Sequence, residues 1–389
     1  MYALGNNIIS SLGFTTDENF NAVKQGISGV KHDDANAFGL PEDFWASLID
    51  RERLNDEFVK ISPENRYTDL EKAAILSVSL ANNEAQIDLS GENTIFILST
   101  TKGNIELLAL PNLPKGEGCS PLTGELVGTY LWHTAELIAG FFKNPNTPIV
   151  VSNACISGAA AQIAAMRELQ SENYENAVVV GADFLSKFII SGFQSFKALS
   201  PKHCRPFDKD RCGLNLGEAA ATMIYGKNEK TIFRLVNGMI RNDANHISAP
   251  SRTGEGSFRA LRNILQDIDM EQIAFVNAHG TATSYNDAAE VNAIVRAGLD
   301  NVPVNSLKAF FGHTLGTAGV LESIISIRAL AENMVLKSMN FNEQNFENRI
   351  NISLENQFSN KKYFVKMLSG FGGGNAVLLF EKIKSELHE

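Results

Sequence analysis

Apolar, β-branched strands alternate with helices along this chain, and the alternation runs through the same order twice. In the first pass a helix from Thr68 to about Glu84, opened by a Thr68-x-x-Glu71 capping box, leads to a strand at 94–98. A strand at 148–152 and its helix follow, then strands at 177–181 and 219–225. The second pass has a helix at 257–267, strands at 273–277 and 302–305, a helix at 317–333, and strands at 363–368 and 376–381. Such alternation predicts an α/β fold of parallel sheets under helical layers, because a strand apolar on both faces needs cover on both. The pattern breaks between Gly226 and Thr231, where Gly-Lys-Asn-Glu-Lys intervenes, so the halves divide as 1–228 and 229–389.

Three segments carry chemistry. Cys155 stands where the strand in Ile149-Val150-Val151-Ser152-Asn153-Ala154-Cys155-Ile156-Ser157-Gly158-Ala159-Ala160 hands over to a helix running to about Leu169. Free N–H groups and the helix dipole at that end favour a thiolate and can hold an oxyanion. A packing cysteine would look the same from this segment alone. His279 ends the strand in Ala274-Phe275-Val276-Asn277-Ala278-His279-Gly280-Thr281-Ala282-Thr283. Lys308 and His313 lie in the loop after a further strand, in Val304-Asn305-Ser306-Leu307-Lys308-Ala309-Phe310-Phe311-Gly312-His313. Loops beyond strand ends are where open α/β sheets build their sites, although a structural histidine would fit either place.

Taken together, these segments resemble the elongating β-ketoacyl synthases of the thiolase superfamily, which use a Cys-His-His triad. The turn Ala-Cys-x-Ser-Gly is matched by Ala154 to Gly158, and Asn-x-His-Gly-Thr-x-Thr by Asn277 to Thr283, with Asn286, Asp287 and Glu290 following. Ser-x-Lys-x-x-x-Gly-His-x-x-Gly-x-Ala-Gly-x-x-Glu is matched from Ser306 to Glu322. Arg205-Pro206-Phe207-Asp208 with Gly217-Glu218-Ala219, and the late Gly370-Phe371-Gly372-Gly373-Gly374-Asn375-Ala376, agree.

The resemblance implies a thiolase-like five-layered α-β-α-β-α sandwich built from the two duplicated halves. It implies that Cys155 takes an acyl group from a pantetheine thioester, and that backbone N–H groups of Cys155 and Phe371 form the oxyanion hole. His279 and His313 would donate to the malonyl thioester during decarboxylation. Lys308 would tune the site by charge, Glu322 would orient it, Thr281 and Thr283 would bond the pantetheine arm, and Phe371 would gate the acyl pocket. The implied activity is decarboxylative Claisen condensation of an acyl group with malonyl-acyl-carrier protein to 3-oxoacyl-acyl-carrier protein, in fatty-acid-like elongation. Alternatives are a ketosynthase of a specialised polyketide or aryl-polyene pathway, or a partner subunit of a ketosynthase heterodimer. No metal is implied, and no cofactor beyond the phosphopantetheine of the carrier. A homodimer is expected, or else a heterodimer, formed by pairing the strand at 177–181 as a sheet edge. Arg66, Lys202 and Arg205 are candidate contacts for the acidic carrier, Arg205 being equally readable as a structural ion pair.

Composition is consistent with such an enzyme. At 44% hydrophobic, 389 residues can bury a large core, and no apolar run is long enough to span a membrane. No basic, then apolar, leader opens the chain. Four cysteines without a C-x-x-C pair suit a reducing cytoplasm, and a formal charge of −10 argues against nucleic acid. A thiolase would place a second catalytic cysteine in the late glycine-rich loop, an initiating synthase would replace His313 by Asn, and non-catalytic partner subunits usually lose the cysteine. Departures from the family pattern are Asn153, Ile156 and Gly374 around the nucleophile, expected to reshape the acyl pocket, and a segment at 101–147 that includes Leu131-Trp132-His133. The first strand looks clipped before Gly5, and Asn7 stands for a glycine, tolerable if that position is left-handed.

Overall fold

The computed structural model describes all residues except 34–37, 41, 65, 110–126, 229–230 and 384–389. In the first half the strands of the large sheet are Tyr2–Ser10 (β1), Thr94–Ser99 (β2), Ile149–Val151 (β3), Asn176–Asp183 (β4) and Ala219–Gly226 (β5). In the second they are Phe233–Asn242 (β6), Ile273–Asn277 (β7), Val304–Asn305 (β8), Tyr363–Gly370 (β9) and Gly374–Lys382 (β10). The spatial order is 3-2-4-5-1 in one half and 8-7-9-10-6 in the other. Position for position these are the same sheet. The two copies meet where β1 and β6 touch, at Tyr2 and Arg234.

Helices Thr16–Gln25 (α1), Asp69–Ala85 (α2), Leu131–Phe141 (α3), Ser157–Gln170 (α4), Lys187–Ser195 (α5), Glu255–Ile264 (α6), Ser284–Arg296 (α7) and Ala318–Ala331 (α8) complete the layers. The helices α2 and α3 cover the outer face of the first sheet, α6 covers that of the second with α7 packed on it, and α4 with α8 lies between the sheets, touching strands of both. This is the five-layered sandwich that the resemblance implies. The capping box is present: Glu71 N–H donates to Thr68 Oγ1 at 3.3 Å and Thr68 N–H to Glu71 Oε2 at 2.9 Å.

Glycines let the central helices touch. A Cβ on Gly319 would fall 2.3 Å from Ala159 N, and one on Gly158 would fall 2.8 Å from Gly316 O. A methyl group at either would cost on the order of 1–3 kcal/mol by overpacking. This contact brings the start of α4, which follows Cys155, against the start of α8, which follows His313.

The structure corrects four expectations. The sheets are mixed, since β4–β5, β1–β5, β9–β10 and β6–β10 are antiparallel; the short turn between Gly370 and Gly374 can join only antiparallel neighbours. The strand at 177–181 is no edge: β4 lies between β2 and β5 with its apolar residues buried, and the half-exposed β3 is the edge. The first strand is not clipped, for β1 pairs with β5 from Tyr2 to Ser10. Asn7 is part of that extended strand rather than left-handed, and its side-chain amide donates to Phe14 O at 3.1 Å.

Candidate active site

Cys155, His279 and His313 are brought together from three strand ends. Each offers one side-chain nitrogen or sulfur within 4.8 Å of the others, and all three side chains are buried. His313 Nε2 lies 2.9 Å from Cys155 Sγ, and the two imidazole rings stand edge to face with centroids 5.1 Å apart.

Local backbone sets each group. Ala154, at φ 44°, turns the chain sharply after β3, and Ser157 Oγ donates to Ala154 O at 2.6 Å while accepting from Asn153 N–H at 2.7 Å. His279 is held by main chain: its N–H and that of Gly280 donate to Glu290 Oε1 and Oε2, both at 2.7 Å. His313 N–H donates to Asn215 O at 2.7 Å, which seats its loop against the short strand Leu216–Gly217. Gly312, at φ 66°, makes that seat possible, because a Cβ there would fall 2.3 Å from Leu216 O.

The Gly370–Gly374 turn closes over the thiol. A Cβ on Gly370 would sit 3.3 Å from Cys155 N, a tight approach that a side chain there would have to push back by a few tenths of an ångström. The backbone N–H groups of Phe371 and Cys155 act on the thiol in the direction that favours its ionised form. The Phe371 ring stacks on Phe193 (centroids 5.8 Å, 26°) and meets Phe196 edge-on (5.5 Å, 69°).

Behind the imidazoles lies a buried ionic cluster. Glu322, at the start of α8, pairs through Oε1 with Lys308 and through Oε2 with Lys366, the latter at 2.6 Å. Burial alone would push the Glu322 carboxyl up, but the two ammonium groups hold it below the usual range. Burial, reinforced by Lys308 and Lys366, holds both histidines well below their ordinary value, so they are neutral at pH 7. Burial also raises Glu290 to about 7.

Burial pushes the Cys155 thiol up to about 12, and Lys308 and the two N–H groups offset only part of this. Burial thus works against the resting thiolate that the helix end was expected to favour. His313 Nε2, at 2.9 Å from Sγ, is within hydrogen-bond reach of the thiol.

These groups open into a cavity of about 600 Å³. Thr281 and Thr283 line it, with their hydroxyls 2.9 Å apart, as do Phe371, Lys197 and Arg252. Ile156 and Gly374 do not line it; Ile156 is fully buried, and a Cβ on Gly374 would fall 2.9 Å from its Cδ1, so the two departures are a matched packing pair rather than a reshaped pocket wall. Asn153 does not line it either. Arg66 and Lys202 are outside the lining; Arg66 pairs with Glu64 at 2.8 Å, while Arg205 pairs with Asp208 at 3.0 Å. Cys119 lies outside the described residues. Lys366 escaped the sequence reading, although a lysine inside the apolar run Tyr363-Phe364-Val365-Lys366-Met367-Leu368 was a signal, because lysine is seldom buried without a partner.

Comparison with known proteins agrees with this geometry. The N-terminal domain model of β-ketoacyl synthases matches residues 13–230, and the C-terminal domain model matches 233–342. The chain is similar to 3-oxoacyl-[acyl-carrier-protein] synthase 2 of Vibrio harveyi, at 28% identity over 97% of both chains. It is similar to the protein of the same name from Synechocystis sp., at 30% identity over 79% of this chain and 80% of that one. Its fold is that of the ketosynthase ApeO, solved in complex with its chain length factor ApeC from Xenorhabdus doucetiae, with a TM-score of 0.82 at 23% identity over 98% and 97% of the two chains. With the cysteine and both histidines converging on one cavity, the chain belongs to the β-ketoacyl synthase family.

Proposed function

We propose that this protein condenses a Cys155-bound acyl group with malonyl-acyl-carrier protein, releasing carbon dioxide and giving 3-oxoacyl-acyl-carrier protein. The observation that carries the reading is the thiol 2.9 Å from His313 Nε2, under two backbone N–H groups and beside a second imidazole. Residues 1–228 supply the nucleophile and 229–389 the two histidines.

The steps follow from the geometry. The Cys155 proton passes to His313 Nε2 as Sγ attacks the acyl thioester carbonyl, and N–H of Cys155 and Phe371 hold the oxyanion. The pantetheine thiolate leaves and takes that proton from His313, which returns to its neutral state. The malonyl thioester then loses carbon dioxide, its carbonyl oxygen held as an enolate by N–H of His279 and His313. The enolate carbon attacks the acyl carbon to give a second tetrahedral oxyanion, whose collapse expels Sγ as a thiolate that takes a proton from solvent to restore the thiol. Neutral imidazoles suit this role, since each can present an N–H to the oxygen. Thr281 and Thr283 hold the pantetheine arm in the cavity, and Phe371, steadied by two phenylalanines, gates the acyl side. Lys308 sets the charge of the site, and Glu322 orients Lys308.

Lys197 and Arg252 at the cavity receive the acidic carrier against the overall charge of −10. Incubation with acyl-carrier protein should add the acyl mass to Cys155, at a rate that falls as salt rises, and malonyl-carrier should then release carbon dioxide. An unmodified Cys155 under all conditions would sink the reading. The fold's likeness to a ketosynthase solved in complex with a chain length factor keeps a specialised pathway as the second reading.

Assembly is proposed as a dimer through β3, the half-exposed edge of the first sheet, with a homodimer favoured over a heterodimer. Light scattering should give twice the chain mass, and a fully active monomer would refute it.

A further inference from the structure

Lys366 lies outside every motif of the family resemblance, yet it is fully buried in β9. An ammonium without partners would be costly there. Its Nζ is surrounded by oxygens: Glu322 Oε2 at 2.6 Å, Met367 O at 2.9 Å, and Asn277 O and Ala278 O at 3.4 Å each. Those oxygens belong to different parts of the site. Asn277 and Ala278 end the strand that leads directly into His279, Glu322 sits on the helix that follows the His313 loop, and β9 itself runs on into the turn that carries Phe371. Lys308, from the His313 loop, takes the other oxygen of Glu322. One carboxylate is thus gripped by two lysines, each tied to a different histidine segment.

We propose that Lys366 is a positioning residue for the decarboxylation half-reaction. Its ammonium ties the end of the His279 strand to Glu322, and through Glu322 to Lys308 and the His313 loop, which sets the spacing of the two imidazoles. The proposal rests on the reading of the site as a condensing one. A single thioester oxygen can accept from both rings only when each donor is within hydrogen-bond reach, so loosening the tie separates donors that must converge. Acylation of Cys155 uses the thiol, His313 Nε2 and two backbone N–H groups, none of which Lys366 touches. The charged groups that act on Lys366 are Glu322, Lys308 and Glu290, and its own field reaches His279 and His313.

The test is Lys366→Met in the full chain, which keeps an unbranched side chain one heavy atom shorter and removes its charge. Intact mass should show Cys155 acylating at close to the parent rate. Carbon dioxide release should fall roughly ten- to a hundredfold, the scale of a misplacement of about 1 Å, in kcat rather than in KM for malonyl-carrier protein. Release at the parent rate, or equal loss of both half-reactions, would overturn the role. If Lys366→Met fails to fold because one oxygen of Glu322 has lost its partner, Lys366→Gln offers that oxygen a neutral N–H while leaving the Lys308–Glu322 pair intact. The same split between half-reactions is expected in it, and failure of Lys366→Gln to fold as well would assign Lys366 to stability and overturn the proposal. A parent protein that neither acylates nor releases carbon dioxide would instead refute the condensing reading itself, and this proposal with it.

Discussion

His279→Ala should retain acylation of Cys155 while losing decarboxylation of the malonyl thioester by roughly a hundredfold or more, the scale of one lost oxyanion donor. His313→Ala should lose both. The difference comes from position: His313 Nε2 lies 2.9 Å from Cys155 Sγ, placed to take its proton, whereas His279 meets the His313 ring edge to face. Sequence alone assigned the histidines the same part, as donors to the malonyl oxygen. Measuring carbon dioxide release beside intact-protein mass for each variant separates the two roles. Parent-rate decarboxylation by either variant would leave that histidine a structural residue. Because burial and the two lysines keep both rings neutral well below the ordinary histidine value, decarboxylation by the parent should show no histidine limb at or above pH 6.5.

Cys155→Ala should abolish condensation, by at least roughly ten-thousandfold, because no other group can carry the acyl chain. The fold should survive, since the change removes one small buried atom and its hydrogen bond, at a cost of about 1 kcal/mol. Carbon dioxide release should persist, because both imidazoles and the ionic cluster behind them remain. Condensation by the Cys155→Ala protein would remove the thiol from the mechanism, and loss of carbon dioxide release together with condensation would show that the cysteine also shapes the malonyl site.

Much of the site was legible because its parts are local. The capping box at Thr68, the strand-to-helix turn at Cys155, and the histidines just past strands at 277 and 305 all depend on neighbours within a few residues. The capping prediction placed the start of α2 within one residue of Asp69, its observed first position. Lys366 was passed over because its significance depends on Glu322, far away in sequence, and in a strand a lone polar residue among apolar ones has no local partner to announce it.

The sequence by itself determined the duplicated α/β order, the strand-to-helix turn at Cys155, the two histidine segments and the late glycine-rich turn, since each is written in residues close along the chain or in a recognisable motif. Tertiary structure alone decided which strand is the edge, because an apolar run reads the same in the middle of a sheet as at its border, and only the neighbours of β4 show it to be interior. It decided the protonation of Cys155 as well. A helix N-terminus can be read from sequence, but desolvation depends on how completely the late glycine turn and the second half of the chain close over the thiol, and here that burial pushes the thiol up.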